Sequence, residues 1–158
     1  GVATLIEAVA LMQGDIGLQI IGTGPEESLL RDQAKSVPGV EFLGYQTGEA
    51  WEQALRGAKA LVLPSTWYEN MPYVVLEALS RGKPVIATRL GGVPERIVEG
   101  QNGWLFDAND AHDLVRAIRN LMLYPDSGKL TLAAYESVAD ARPDIYYKSL
   151  LVVYKKND

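Results

Sequence analysis

The sequence contains no cysteine, only one histidine, and no apolar run approaching the ~20 residues of a membrane span. Without cysteine there is neither a disulfide nor a thiolate metal site, an absence that fits a cytoplasmic protein. The lone His112 stands beside Asp110 and Asp113 in the first turn of a predicted helix and reads as a surface residue. It leaves too few ligands for a transition-metal centre and no Ser–His–Asp arrangement. Basic clusters are missing too, apart from Lys155-Lys156, and the net charge is -5. A nucleic-acid partner needs a basic face to neutralise phosphates, so none is expected. No signal peptide is visible.

What is present is ordinary for a soluble domain: 158 residues, 47% hydrophobic and 22% charged, enough for one core. The opening residues, GVATLIEAVALMQ, already have helical spacing, with Val2, Leu5, Ile6, Val9 and Ala10 sharing a face. A chain that starts inside a helix, with neither Met nor a cap, reads as a piece of a longer protein.

Short apolar runs alternate with helical patterns along the chain. Strands are expected at 16–22, 40–44, 59–65, 83–88 and 103–106. Helices are expected at 25–36, 47–58, 72–81 and 109–123, and two more near 127–139 and 143–155. Pro25 and Pro72 suit first turns, and Thr47 suits a cap. Val115, Ile118 and Leu121/Met122 should form the inner face of the 109–123 helix. Apolar strands alternating with helices mean an α/β fold with a parallel sheet covered on both faces. Ligands in such folds bind at the carboxyl ends of the strands. The loops that matter are therefore GTGP, GYQT, STWYENMP and TRLGGVPE.

In GTGP, Gly22 and Gly24 follow a strand and open a helix. Glycines there admit a ligand close to the backbone, or simply mark a tight turn. A dinucleotide fingerprint is excluded: the third glycine is missing, and the next strand ends in Gly44-Tyr45 rather than an acid. In PSTWYENMP, Asn70 tolerates left-handed backbone and can cap. The amides of Asn70, Met71 and Tyr73 would then be free for an anion or for hydroxyl groups. Glu69, at the crest, is either a two-hydroxyl acceptor or a solvated loop acid. Glu77 borders a stripe of Val74, Val75, Ala78 and Leu79, and a partly buried carboxylate needs donors. The vicinal hydroxyls of a ribose would supply them; otherwise Glu77 is a good helix former at a boundary. RLGGVPE is a connecting turn or a close approach to a donor or a neighbouring domain. Trp67 and Tyr68 line a cleft or pack.

Together these residues resemble glycosyltransferase family 4, the retaining enzymes of GT-B fold. The resemblance rests on Glu69, seven residues, Glu77, within PSTWYENMPYVVLEALSRGKPVIATRLGGVPERIVEGQNGWLF, and runs from Gly1 to about Leu123. It implies the nucleotide-sugar-binding C-terminal half of such an enzyme: a Rossmann-like doubly wound sheet. Residues 1–124 would form the donor domain and 125–158 a C-terminal helical extension. Glu69 would be the catalytic-site acid that contacts donor-sugar hydroxyls. Asn70, Met71, Pro72, Tyr73 and Val74 would hold sugar and diphosphate, Pro72 without an N–H. Glu77 would bind ribose, and Tyr45 would border the base. Gly22, Gly24 and Ser65 complete the implied substrate-binding set. No cofactor or metal is implied, because the nucleotide sugar is the substrate.

The resemblance also implies parts outside this sequence: a first strand carrying an Arg and ending in Lys, both gripping the diphosphate, and an N-terminal acceptor domain. That domain would be supplied in cis or in trans, and any peripheral attachment to a membrane would run through it. The chain is therefore expected to be inactive alone, with a slot between LQIIG and ALVLP. Two other readings fit the sequence: a non-catalytic α/β module completing its site with a partner, and another GT-B-type sugar enzyme such as an epimerase or phosphorylase. The Glu-x7-Glu spacing argues against the latter.

Overall fold

The computed structural model describes residues 1–141 and 143–155, so Lys156 lies outside the described residues. The order is α1 (Val2–Leu11), β1 (Leu18–Ile21), α2 (Glu27–Ala34), β2 (Val40–Gly44), α3 (Gly48–Gly57), β3 (Leu61–Leu63) and α4 (Tyr73–Ser80). Then come β4 (Val85–Thr88), a 3-10 turn Val93–Glu95, β5 (Gly103–Phe106), α5 (Ala111–Met122), α6 (Ser127–Glu136), a 3-10 turn Ala139–Ala141 and α7 (Pro143–Lys155).

The ends of the elements follow local chemistry. Asp110 caps α5 by accepting the Asp113 amide at 2.9 Å, and Asp126 caps α6 by accepting that of Lys129 at 2.9 Å. Thr47 occupies the cap position of α3, but its side chain makes no capping bond. Pro25 lies two residues ahead of α2, just before its N-cap Glu26, and Pro72 is the N-cap of α4 rather than a residue of its first turn. The end of α4 is a Schellman turn: Gly82 donates to Leu79 and Lys83 to Ala78, both at 2.9 Å.

The strands are parallel and pleated, so alternate residues face opposite layers. Val85 and Ala87 of β4 join Val75, Ala78 and Leu79 of α4, Leu55 of α3 and Ala134 of α6. Ile86 turns the other way, toward Leu5 and Ala8 of α1, Trp104 and Phe106 of β5, and Leu114 and Ile118 of α5. Ala8, rather than Ala10, completes the buried face of α1. On α5, Val115 and Ile118 are buried as expected, Leu121 is half-buried and Met122 is exposed.

The strands form two separate ladders. β1 pairs with β2, and β3–β4–β5 form a second sheet; among the described residues no ladder joins β1 to β3. Burial shows the consequence. Every residue of β4 and β5 is buried, whereas the apolar β3 and the isoleucines of β1 are only half-buried. Leu18 of β1 and Val62 of β3 both pack against the cluster that includes residues of α1, β4, β5 and α5, so this shared core spans the two ladders. The N-cap of α1, Gly1, abuts Pro64 at the carboxyl end of β3, where a Cβ would overlap the Pro64 carbonyl.

Candidate functional site

The loop after β3 rises through Pro64 and Ser65 to a crest at Glu69, then descends through Pro72 into α4. Glu69 is half-buried. Its Oε1 accepts from the Trp67 indole Nε1 at 3.0 Å and from the Ser65 hydroxyl at 3.4 Å. No hydrogen bond reaches Oε2 among the described residues. The sequence offered no signal for the Trp67 contact, because an i, i+2 bond within a loop has no periodicity.

The loop after β4 braces this crest. Gly92 donates its amide to the Glu69 carbonyl at 2.8 Å. A Cβ on Gly91 would overlap the Glu69 carbonyl oxygen, and one on Gly92 that of Asn70. Gly91 also has a φ of 59°. The backbone of RLGGVPE touches that of the Glu69 loop within the same domain, where side chains would keep the two apart. Buried Val93 anchors the turn that follows.

At the start of α4 the amides of Asn70, Met71, Tyr73 and Val74 donate to nothing among the described residues, and Pro72 has no N–H. Such free donors at the positive end of a helix favour an anion. Asn70 departs from expectation. It is not among the residues with positive φ, and its side chain does not cap the helix. The left-handed residue of this corner is Gly91, in the facing loop, while Pro72 enters the helix from an extended conformation with ψ 124°. Proline also biases Met71 toward extended backbone, so Asn70 need not turn the chain.

Glu77 also departs from expectation. Val75, Ala78 and Leu79 are buried, but Val74 is only half-buried and Glu77 itself is exposed. Its carboxylate accepts no hydrogen bond among the described residues. The neighbouring Arg81 is instead paired with Glu52, whose oxygens accept from Arg81 Nε at 2.8 and 2.9 Å. This bond lowers the Glu52 pKa and raises that of Arg81, with the Glu77 charge a smaller contributor to the latter.

The remaining candidates lie on the other ladder. The Gly22 amide donates to the Gly44 carbonyl at 2.8 Å and so ties the loops after β1 and β2 together. Beside them Gly24 is exposed and Tyr45 projects with 75% of its surface accessible. Among the described residues no hydrogen bond joins these loops to the Glu69 loop. Gly22, Gly24 and Tyr45 form one group; Ser65 and Glu69 to Val74, with Glu77, form the other.

Charge at this end of the sheet is balanced locally. Arg89, just past β4, faces Glu99 at 3.7 Å and Asp107 at 3.5 Å. Asp113 accepts from Arg116 Nε at 2.6 Å and from the Asp107 amide at 2.8 Å. The Arg116 bond, with the Asp107 amide, holds the Asp113 carboxyl below its ordinary range against the opposing effect of burial. A cavity of about 480 Å³ lies at the opposite end of β3 and β4, lined by Arg56, Lys59, Lys83 and Tyr124. The Lys83 ammonium is consumed there by the carbonyls of Arg56 and Ala58, at 2.7 and 2.8 Å. Among the described residues no three His, Cys, Asp or Glu side chains could hold a metal ion. None of the described helices is long and apolar enough to cross a membrane.

Comparison with known proteins gives the family and the fold. The family model "Glycosyl transferases group 1" matches residues 1–123. Sulfoquinovosyl transferase SQD2 of Arabidopsis thaliana is 36% identical over 121 residues, which is 75% of this chain and 23% of that protein. The lipopolysaccharide core biosynthesis glycosyltransferase LpsE of Rhizobium meliloti is 34% identical over 125 residues, 77% of this chain and 36% of that protein. The chain thus spans about a quarter to a third of these relatives. Among solved structures, HepE of Anabaena in complex with UDP and glucose superposes with a TM-score of 0.81 at 23% identity, covering 100% of this chain and 45% of that one. The fold is shared at that level.

Proposed function

The chain belongs to the group 1 glycosyl transferases, and from that premise we propose that it is the donor-binding part of a retaining enzyme that transfers a sugar from a nucleoside diphosphate sugar to an acceptor. The observation that carries the reading is at the start of α4. A half-buried carboxylate with one oxygen unpartnered stands next to four unpartnered amides, and an exposed, unpaired carboxylate follows one turn into the helix. Glu69 would accept the sugar hydroxyls. The amides of Asn70, Met71, Tyr73 and Val74 would hold the diphosphate, and Glu77 would accept from the ribose. As the glycosidic bond breaks, negative charge grows on the leaving diphosphate, and donors aimed at it lower the barrier. Tyr45 would flank the base, with Gly22 and Gly24 letting it approach the backbone.

The separation of the two ladders supports a second part of the proposal: the site is completed by a strand inserted between β1 and β3. This strand would carry the cations that the diphosphate requires, since Arg89 already faces two carboxylates. It would come from the same polypeptide or from a partner. Without it, and without an acceptor domain, the 158 residues would bind donor weakly and transfer nothing.

The test is calorimetric titration of UDP, GDP and their sugars against the parent chain and against Glu69→Ala and Glu77→Ala. UDP is a reasonable first probe, given its presence in the Anabaena neighbour. Affinities that neither substitution alters would contradict the proposal.

A further inference from the structure

Trp67 leaves 72% of its surface in solvent, so burial of its ring is not what holds it in place. Its one polar atom, Nε1, is a donor only and points at Glu69 Oε1 at 3.0 Å. The Ser65 hydroxyl approaches the same oxygen at 3.4 Å, while Oε2 receives nothing among the described residues. A loop glutamate free to rotate would present its two oxygens equally. This one is held by one oxygen, and the other is left open.

Resting on the donor-site reading of Glu69, we infer that Trp67 is a positioning residue, which sets the Glu69 carboxylate so that Oε2 faces the donor sugar. The physical gain is pre-organisation. An untethered carboxylate must lose rotamer freedom when the sugar binds, whereas here that freedom is lost in the free protein. The Gly92 amide holds the same residue by its carbonyl at 2.8 Å, so backbone and side chain are both tethered. The contact gives Trp67 a part in sugar recognition and none in nucleotide recognition, because the oxygen it orients belongs to the sugar end of the site.

The test uses the intact protein with Trp67→Phe, Glu69→Ala and the double variant. Phenylalanine keeps an aromatic ring and removes the N–H. Among the indole cross-peaks of the 3 tryptophans, the one that Trp67→Phe removes identifies Trp67. That peak should move in Glu69→Ala, where its acceptor is gone. Affinities for UDP-glucose, UDP-galactose and GDP-mannose, each against its diphosphate, give the sugar increment. Trp67→Phe should reduce the increment about three- to tenfold, the usual effect of one lost hydrogen bond, and leave diphosphate affinity and thermal midpoint unchanged. In the Glu69→Ala background it should have no further effect.

A full increment in Trp67→Phe, with a reduced one in Glu69→Ala, would overturn the role of Trp67 and leave the donor site standing. Additive effects in the double variant would also overturn it, because the ring would then act on the sugar directly. An increment untouched by Glu69→Ala, or absent from the parent with all three sugars, would overturn the donor-site reading itself.

Discussion

Gly92 holds Glu69 by its carbonyl, at 2.8 Å, across the gap between the loops that follow β4 and β3. The residue at the crest of one loop thus depends on the absence of a side chain in the other. Gly92 has φ −84° and ψ −8°, which any residue adopts, so a substitution there acts through steric overlap and not through backbone strain.

Gly92→Ala should therefore push the Glu69–Asn70 backbone away. A stability loss of about 1–3 kcal/mol is expected from forced overpacking. The nucleotide-sugar increment should fall with it. Thermal denaturation and ligand titration check both, and an alanine variant that matches its parent in each would show that the two loops do not depend on one another.

The pH dependence of stability should include Asp113. Its carboxyl is held below the ordinary value of 3.8 by Arg116, so its contribution is fully present above that value and is lost as pH falls below it. Both partners are partly exposed, which keeps the effect small. Asp113→Asn should lower the thermal midpoint at neutral pH and narrow the gap from the parent below about pH 4. A gap that stays constant down to pH 2 would exclude the linkage.

A strand placed between β1 and β3 should pair the backbone groups on their facing edges. Hydrogen exchange is the direct readout. In the 158-residue chain the amides along the open edges of β1 and β3 should exchange much faster than those of β4, which is buried throughout. A longer form of the protein carrying about 20 preceding residues, roughly the length of a strand and its connection, should protect them and raise the thermal midpoint. Diphosphate affinity should rise about a hundredfold or more if that segment brings two cations. Strong protection of both edges in the shorter chain, or turnover of a nucleotide sugar by it, would count against the slot.

Some of this was legible in the sequence and some was not, for identifiable reasons. β2 and β5 fall where the apolar runs between turn residues put them. β3 ends at Leu63, because Pro64 has no amide to extend the ladder. The Glu69 loop was visible from an acid beside a proline that starts a helix. The exposure of Glu77 was not, because it was read from its neighbour Val74, which is itself only half-buried. Asn70 tolerates left-handed backbone but does not use it, and the Trp67–Glu69 bond left no trace in any pattern. What sequence periodicity misses here is contact between loops, which depends on where the strands deliver them.

The division of labour along α4 is the centre of the account, and one crossed titration tests it. The diphosphate and its matching sugar are titrated by calorimetry into Glu69→Ala and Glu77→Ala. Glu77 is exposed and unbonded, so its loss should leave stability unchanged and weaken the diphosphate and the sugar alike, by about 1.5–3 kcal/mol. Glu69→Ala should spare the diphosphate and remove only the extra affinity of the sugar. If Glu69→Ala weakens the bare diphosphate as much as Glu77→Ala does, the sugar and ribose ends of the site have been wrongly assigned.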